Sequence, residues 1–578
     1  MATLLRRLVP IVGELPAYDR GKLRGDLSAG LTVGVMLIPQ GMAYALIAGL
    51  EPIYGLYAAL TPLAVYAAFG TSRPLSVGPV AMVSLLVAAG VAPLAGADPA
   101  RYVALAILLA LMVGVIQLAL GLARFGFLVN FLSHPVLTGF TAAAALIIGF
   151  SQLKHLLGIA LPRSTQVHTI IASAVQQAGS THMITLAIGV VAIVILVALR
   201  RWRPSFPAPL AVVVLGTVAV GTLSLDAIGV QIVTDVPRGL PLPELPRVSA
   251  ADLQALLPTA LIISMVGFME SIAVAKVYAS RDRYEVNASQ ELVALGLANM
   301  VGSIFRAYPT TGGFSRTAVN DRAGARTPLS SLFAAGVIAL TLLFLTPLFY
   351  YLPNAVLAAI VMVAVSGLVD WREARFLWHV KRRDFFLMAM TFAATLALGI
   401  EQGILLGVVA SLIVLVHESY RPHTAVMGRL PGTATFRNVR RHPEALVRSG
   451  VVVFRVDAPL FFGNAGFLKD KLREIAGRDP ALDTLVLDAY PVNQIDSTAA
   501  HALKEIVEEF RAAGIRFFFV GVKGPVLDVL EKAGIVDLVG ADHFFFEVHQ
   551  ATEAAEAEAS LRPDSDPSPD LRPSPAAV

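Results

Sequence analysis

The chain has 578 residues, is 56% hydrophobic and 15% charged, and has a mean hydropathy of +0.70. That balance excludes an ordinary soluble globular protein and indicates an integral membrane protein. A formal charge of +4 gives no argument for nucleic acid, and the absence of cysteine excludes disulfides, thiol catalysis and Cys-ligated metal.

Residues 1–24 carry Arg6, Arg7, Arg20, Lys22 and Arg24. No short apolar stretch with a cleavage site precedes Gly25, so this segment is expected to be cytoplasmic rather than a removable signal. From Leu27 to about His417 the chain is a series of apolar runs of membrane-spanning length. They are predicted at 27–48, 53–70, 78–94, 101–121, 127–150, 183–199, 208–225, 254–278, 288–305, 313–325, 329–347, 352–369, 385–399 and 402–418. That makes about fourteen spans, several of them short or broken by Gly and Pro. Every second loop carries the positive charge: Arg73; Arg124; Arg200, Arg201 and Arg203; Lys276, Arg281 and Arg283; Arg322 and Arg326; and Arg372 to Arg383. The intervening loops hold mainly Glu51, Asp98, Asp226, Asp235, Glu244 and Glu401, with Lys154, Arg163, Arg238 and Arg306 as exceptions. The bias predicts cytoplasmic N- and C-termini.

After Tyr420 charges become frequent and apolar runs shorten. Strands are predicted at 451–456, 484–487 and 516–520, and helices at 465–476 and 498–513, which together make a soluble α/β domain over 421–550. Residues 551–578, Ala/Glu-rich and then Ser/Pro/Asp/Arg-rich, are expected to be a disordered tail.

The polar stretch Tyr308–Thr317 stands out among the apolar runs. Its freed backbone groups would find no partner in lipid, so it must line a cavity or pack on protein. A helix beginning near Gly313 aims bare N–H groups and a positive dipole end at one point, which suits an anion. Ser76–Met82 opens the third span in the same manner, and the matching positions indicate an inverted repeat, about 25–250 and 251–420, with its site at the midplane. Ordinary Gly/Pro kinks are the plain alternative. Arg316, in the first turn of the tenth span, would add a cation to the anion's well, or else cap a neighbouring carbonyl. Glu270, deep in the eighth span, is costly as a bare carboxylate. It suits a group that takes up a proton with the substrate, or a static partner for Arg316. Gln40 follows Pro39, which is expected to break the first span; it is a candidate donor to the ligand or a packing residue between helices.

Pro52-Ile53-Tyr54-Gly55-Leu56-Tyr57-Ala58-Ala59, continuing through Tyr66 to Gly70-Thr71-Ser72-Arg73, resembles the signature of the SulP (sulfate permease) anion transporters. Leu37 to Tyr44 and Ser76 to Pro79 resemble the flanking pattern. Val451–Ala458, Phe461–Asn464 and Gln494–Ala499 are similar to the STAS domain that ends those proteins. The resemblance implies an α-helical membrane protein with a seven-plus-seven inverted repeat like that of nucleobase transporters. It also implies a core domain moving against a gate domain in an elevator-like motion, and a homodimer. Family site residues map to Gln40, Tyr44, Val77, Gly78, Val80, Ala81, Glu270, Gly313, Phe314, Ser315 and Arg316. Family members carry sulfate, bicarbonate, chloride or dicarboxylates. A Glu at 270 resembles the proton-coupled members, whereas the sodium-coupled bicarbonate carriers tend to an Asp there.

In the soluble part, Ser497 falls where related anti-sigma-factor antagonists are phosphorylated, although Asp496 or Ser497 as a helix cap explains both residues more simply. No phosphate-binding loop or metal-spaced His cluster is present in the sequence. The expected activity is therefore transport rather than catalysis: a proton-coupled symporter of a small inorganic oxyanion, sulfate first, in the inner membrane and without a cofactor. A bicarbonate or dicarboxylate symporter, or an uncoupled exchanger or channel, is the alternative.

Overall fold

Helix ends fall where the capping chemistry places them. Residues 9–96, 98–127, 133–161, 166–202, 207–246, 248–560 and 571–573 are described by the structure, a computed structural model. Arg6, Arg7, Arg163 and Arg203 lie outside the described residues. The chain divides into two compact units, Met1–Ser411 and Leu412–Val578.

The first unit contains α1 (Arg20–Ile47), α2 (Pro52–Phe69), β1 (Val77–Gly78), α3 (Ala81–Ala95), α4 (Pro99–Leu122), α5 (His134–Ser151), α6 (Met183–Trp202) and α7 (Ala208–Leu223). It continues with α8 (Ala250–Asp282), α9 (Ala288–Ile304), β2 (Thr311–Gly312), α10 (Phe314–Arg322), α11 (Leu329–Leu340), α12 (Asn354–Ser366), α13 (Trp371–Val380), α14 (Arg382–Leu398) and α15 (Ile400–Tyr420), the last crossing the boundary between units. Asp19, Asp98, Asn287 and Asp370 cap α1, α4, α9 and α13 by accepting from backbone N–H groups of the first turn. Proline at the start of α2 and α4 supplies helical φ where no N–H is needed.

Each predicted span holds a helix, but not each helix has spanning length. Among the described residues nine helical stretches are long and apolar enough to cross a membrane, counting His134–Leu157, Leu329–Phe349 and Asn354–Val380 each as one. The shorter ones, α3, α7, α9, α10 and α14, account for the other predicted spans. In the third and tenth spans the polar stretch begins extended, at Val77–Gly78 and Thr311–Gly312, and turns helical only from Ala81 and Phe314. Pro39 does not break α1, which runs through it without interruption. One missing N–H leaves the neighbouring hydrogen bonds intact, and packed membrane helices tolerate that.

Glycine permits the closest helix contacts, as expected where apolar packing rather than water exclusion holds helices together. A Cβ on Gly114 of α4 would stand 2.5 Å from Met300 N, and one on Gly296 of α9 would stand 2.5 Å from Leu118 N. In the signature, a Cβ on Gly55 of α2 would lie 2.0 Å from the carbonyl oxygen of Gly41 in α1.

The second unit has β3 (Thr424–Arg429), β4 (Phe436–Asn438), β5 (Leu446–Arg448), β6 (Val451–Val456), α16 (Ala465–Arg478), β7 (Thr484–Asp488), α17 (Ser497–Ala512), β8 (Arg516–Val520), α18 (Gly524–Lys532), α19 (Ile535–Val539), β9 (Phe544–Phe545), α20 (Val548–Ser560) and β10 (Leu571–Pro573). Strands β6, β7, β8 and β9 pair in parallel in that order, and β3 joins β6 antiparallel. Strand β7 is buried along its whole length, as an apolar parallel strand covered on both faces should be. One face packs under α16 and α17 through Leu468, Leu472, Leu503 and Phe510. The other packs under α20, and this corrects the expectation of disorder from 551. Ala551 and Ala555 are fully buried against Val486 and Phe518, so small apolar residues at helical spacing make a docking face out of an Ala/Glu-rich segment. Residues 571–573 extend the sheet at β5, and the rest of the predicted tail lies outside the described residues.

Gly55→Ala forces α1 and α2 apart and is expected to cost about 1–3 kcal/mol, read as a lowered Tm of the detergent-solubilised protein. Gly149→Ala, whose new methyl meets nothing within 4 Å, is the control and leaves Tm unchanged or slightly higher.

Candidate anion-binding site

The two polar stretches pair with each other. Strands β1 and β2 are antiparallel, with Val77 opposite Gly312 and Gly78 opposite Thr311, and Gly313 N donates to Ser76 O at 3.0 Å. Each strand passes through an extended cap residue, Val80 or Gly313, into a helix. The first α-helical hydrogen bonds run from Ser84 N to Val80 O (2.9 Å) and from Thr317 N to Gly313 O (3.0 Å). The N–H groups of 81–83 and 314–316 precede those bonds, so two positive helix ends adjoin one ribbon.

Arg316 ties the halves together. It is 1% exposed and is the largest fully buried side chain. Its Nη1 donates to Pro79 O and its Nη2 to Ser76 O at 3.5 Å. Two glycines make room for it: a Cβ on Gly313 would stand 2.7 Å from the guanidinium carbon, and one on Gly78 would stand 3.5 Å from Nη2. Tyr44, Glu270 and Tyr308 are the groups that interact electrostatically with Arg316. Tyr44 accepts from Gln40 Nε2 at 2.8 Å, which leaves its own O–H proton to donate elsewhere. Tyr308 meets Ser84 of α3 at 3.1 Å, a second link across the ribbon.

Four buried polar atoms without a hydrogen-bond partner gather around this centre: Gln40 Oε1, Ser76 Oγ, Glu270 Oε2 and Arg316 Nε. Buried polar atoms are nearly always paired, so a cluster of them without a protein partner is a candidate set of ligand contacts. The expected residues Gln40, Tyr44, Val77, Gly78, Val80, Ala81, Gly313 and Arg316 are all buried here. Phe314 and Ser315 differ: Phe314 is 57% exposed and Ser315 is also exposed, so what they can offer the site is backbone N–H groups rather than buried side chains. The static Glu270–Arg316 pair considered above is not formed, since the Arg316 hydrogen bonds go to carbonyls.

Several supporting residues escaped the sequence reading. Ser271, next to Glu270, accepts from Gly312 N at 2.8 Å and meets Thr311 Oγ1 at 2.7 Å. Thr311 Oγ1 also donates to Gly267 O at 2.5 Å. These bonds staple the helix carrying Glu270 to β2. Asn299 accepts from Thr310 N at 2.8 Å and donates to Thr310 O at 3.0 Å, and Gln117 joins Asn299 to α8. Two buried carboxylates act as clamps with matching donor sets. Glu291 accepts from Tyr66 O–H, Thr71 N, Thr71 O–H and Ser72 N at 2.6–3.2 Å, which fixes the loop leading into β1. Asp26 accepts from Tyr18 O–H, Arg326 N, Thr327 N and Thr327 O–H at 2.5–3.2 Å, which fixes the loop leaving α10. Each clamp reaches from one half of the chain into the other. The available signal was the rarity of acidic and amide side chains in apolar helices.

In the second unit, Asp496 caps α17 by accepting from Ala499 N at 2.8 Å, and Ser497 is exposed on the first turn. Asp457 contacts His423 and Arg455, while His501 contacts Glu505. Asp457 and His501 thus have separate partners, and none of these contacts joins either to Ser497.

Paired discontinuous helices inside a multi-helix apolar unit, followed by an α/β unit, mark the class of membrane transporters. The sequence model described as the sulfate permease family matches residues 23–391, and that of the STAS domain matches residues 442–551. The chain belongs to the sulfate permease family. It is 43% identical over 549 residues to chloroplastic sulfate transporter 4.1 of Arabidopsis thaliana, covering 91% of this chain and 79% of that one. The structure of the murine solute carrier 26 member A9 anion transporter in its inward-facing state superposes with a TM-score of 0.89 at 27% identity, over 96% of this chain and 95% of that one. The transmembrane domain of the cyanobacterial bicarbonate transporter BicA gives a TM-score of 0.59 at 28% identity, over 68% and 98%.

Removing a clamp leaves buried N–H and O–H groups unpaired at about 1–3 kcal/mol each. Glu291→Ala and Asp26→Ala are each expected to lower Tm markedly. Gly313→Ala, whose methyl displaces the Arg316 guanidinium, is expected to weaken anion binding with a smaller loss of Tm.

Proposed function

We propose that the protein is a secondary active transporter of an inorganic oxyanion, with sulfate as the substrate and a proton as the coupling ion. The observation that carries this reading is the β1–β2 ribbon, with two helix N-termini, the Arg316 guanidinium and a cluster of unpartnered buried polar atoms around it. The names of the relatives support sulfate as the anion. On this reading the backbone N–H groups of 81–83 and 314–316, with Tyr44 O–H and Ser76 O–H, receive the oxyanion's oxygens. Gln40 sets the Tyr44 hydroxyl.

Glu270 supports the coupling. Its Oε2 is covered and unpaired beside the same centre, where a carboxylate would repel an anion. A proton on Glu270 removes that repulsion and turns an acceptor into a donor, so anion and proton bind together. The transport cycle is then an elevator-like movement of a core carrying the ribbon against a gate, within a seven-plus-seven inverted repeat. The reciprocal clamps of Asp26 and Glu291 agree with such a repeat. On this reading both termini are cytoplasmic, as the loop charges support, and the protein works as a homodimer in the inner membrane.

Uptake of labelled sulfate into proteoliposomes under imposed pH and sodium gradients tests this. Uptake is expected to rise as outside pH falls, and Glu270→Gln is expected to abolish that dependence. Sodium-driven uptake, or an unchanged pH response in Glu270→Gln, contradicts proton coupling. Arg316→Gln is expected to raise KM about tenfold to a hundredfold, the equivalent of losing about 1.5–3 kcal/mol from a charged contact.

A further inference from the structure

The sequence contains three tryptophans, Trp202, Trp371 and Trp378, and they are 80%, 79% and 41% exposed. Each stands next to arginine. Trp202 ends α6 after Arg200 and Arg201. Arg200 Nη1 donates to Val363 O at 3.4 Å, and its Nη2 would stand 3.4 Å from a Cβ on Gly367, so the end of α6 meets the end of α12. Helix α13 follows directly, and its ten residues are too few to span a bilayer.

Its sequence divides by face. Trp371, Ala374, Leu377 and Trp378 share one side at helical spacing, and Arg372, Arg375 and His379 share the next. Leu377 is the residue of α13 that is buried, whereas Phe376 and Val380 are exposed, as is Phe386 on α14. Arg382 lies 5.4 Å over the Trp378 ring, and Arg372, Arg375 and Arg382 are all exposed. The nearby acids are partly occupied: Asp370 caps the helix and Glu373 faces His134 at 3.5 Å, while Asp384 opens α14. Aromatic rings and arginines exposed together on a short helix fit the headgroup level of a bilayer, where the rings sit among acyl–headgroup boundaries and guanidinium forks meet phosphate. Five arginines at 200, 201, 372, 375 and 382 against those three acids set the sign of the surface.

We propose that α13, with the start of α14 and the end of α6, is a binding surface for anionic phospholipid of the bilayer leaflet it faces. The inference rests on the transporter reading only for membrane insertion and is independent of substrate and coupling ion. Trp371 and Trp378 seat the helix in the interface, and Arg372, Arg375 and Arg382 select a negative headgroup over a zwitterionic one.

The test uses the full chain carrying Trp202→Phe, so that the remaining tryptophan fluorescence comes from Trp371 and Trp378. It is reconstituted in phosphatidylcholine vesicles containing the same fraction of either brominated phosphatidylglycerol or brominated phosphatidylcholine. Quenching by the anionic lipid is expected to exceed that by the neutral lipid by about twofold or more. Arg372→Gln, Arg375→Gln and Arg382→Gln together are expected to make the two lipids equal, and the three corresponding Lys changes to keep a preference. Equal quenching in the parent, or a preference that survives the three Gln changes, overturns the proposal. So does absence of quenching by either lipid, which would mean that another protein surface covers the helix.

Discussion

The structure of the transport unit depends on a four-residue β-ribbon between segments far apart in sequence. Two residue pairs, Val77–Gly312 and Gly78–Thr311, are a weak interaction on their own. They persist because everything around them is arranged to hold them. The Arg316 guanidinium crosses from one half to the backbone carbonyls of the other, Ser271 and Thr311 fix the ribbon to α8, and Asn299 holds the approach through Thr310. A strand pair inside an apolar helical unit satisfies backbone groups that lipid could not. It also leaves the next N–H groups, at the starts of α3 and α10, without intrahelical acceptors. The irregularity and the proposed anion site are one feature.

The clamps explain how a short ribbon keeps its register. Glu291 and Asp26 are fully buried and are satisfied by N–H and O–H donors rather than by a cation. A buried carboxylate with four donors is strongly oriented, and its loss exposes all four. One clamp guards the entry to β1 and the other the exit from α10, so each half of the chain fixes the other's irregular segment. In the proposed elevator-like cycle, such cross-bracing would hold the ribbon's register while the core moves.

Much of this was legible in the sequence. The apolar runs gave the helices, because length and hydropathy dominate in a membrane-embedded chain. Ser76–Met82 and Tyr308–Thr317 declared themselves by polarity in an apolar setting, and Arg316 and Glu270 by their charge. What could not be read was pairing. Nothing local links Glu291 to Thr71, Asn299 to Thr310 or Asp26 to Thr327, since each contact joins distant segments and uses common residue types. Side-chain direction was equally hidden: Phe314 and Ser315 sit in the first turn of α10 but face outward. Helix α20 was misread because Ala/Glu-rich composition suggests disorder until a partner surface, here Val486 and Phe518, is present to bury two alanines.

An oxyanion is proposed to bind where the first turns of α3 and α10 meet the ribbon. A structure determined with selenate, a heavier analogue of sulfate, at a wavelength where selenium scatters anomalously, tests it most directly. One anomalous peak per chain is expected within hydrogen-bonding distance of the N–H groups of 81–83 and 314–316, close to Arg316 and Tyr44. A selenate peak elsewhere in the transport unit, with this site left without one at saturating selenate, would contradict it.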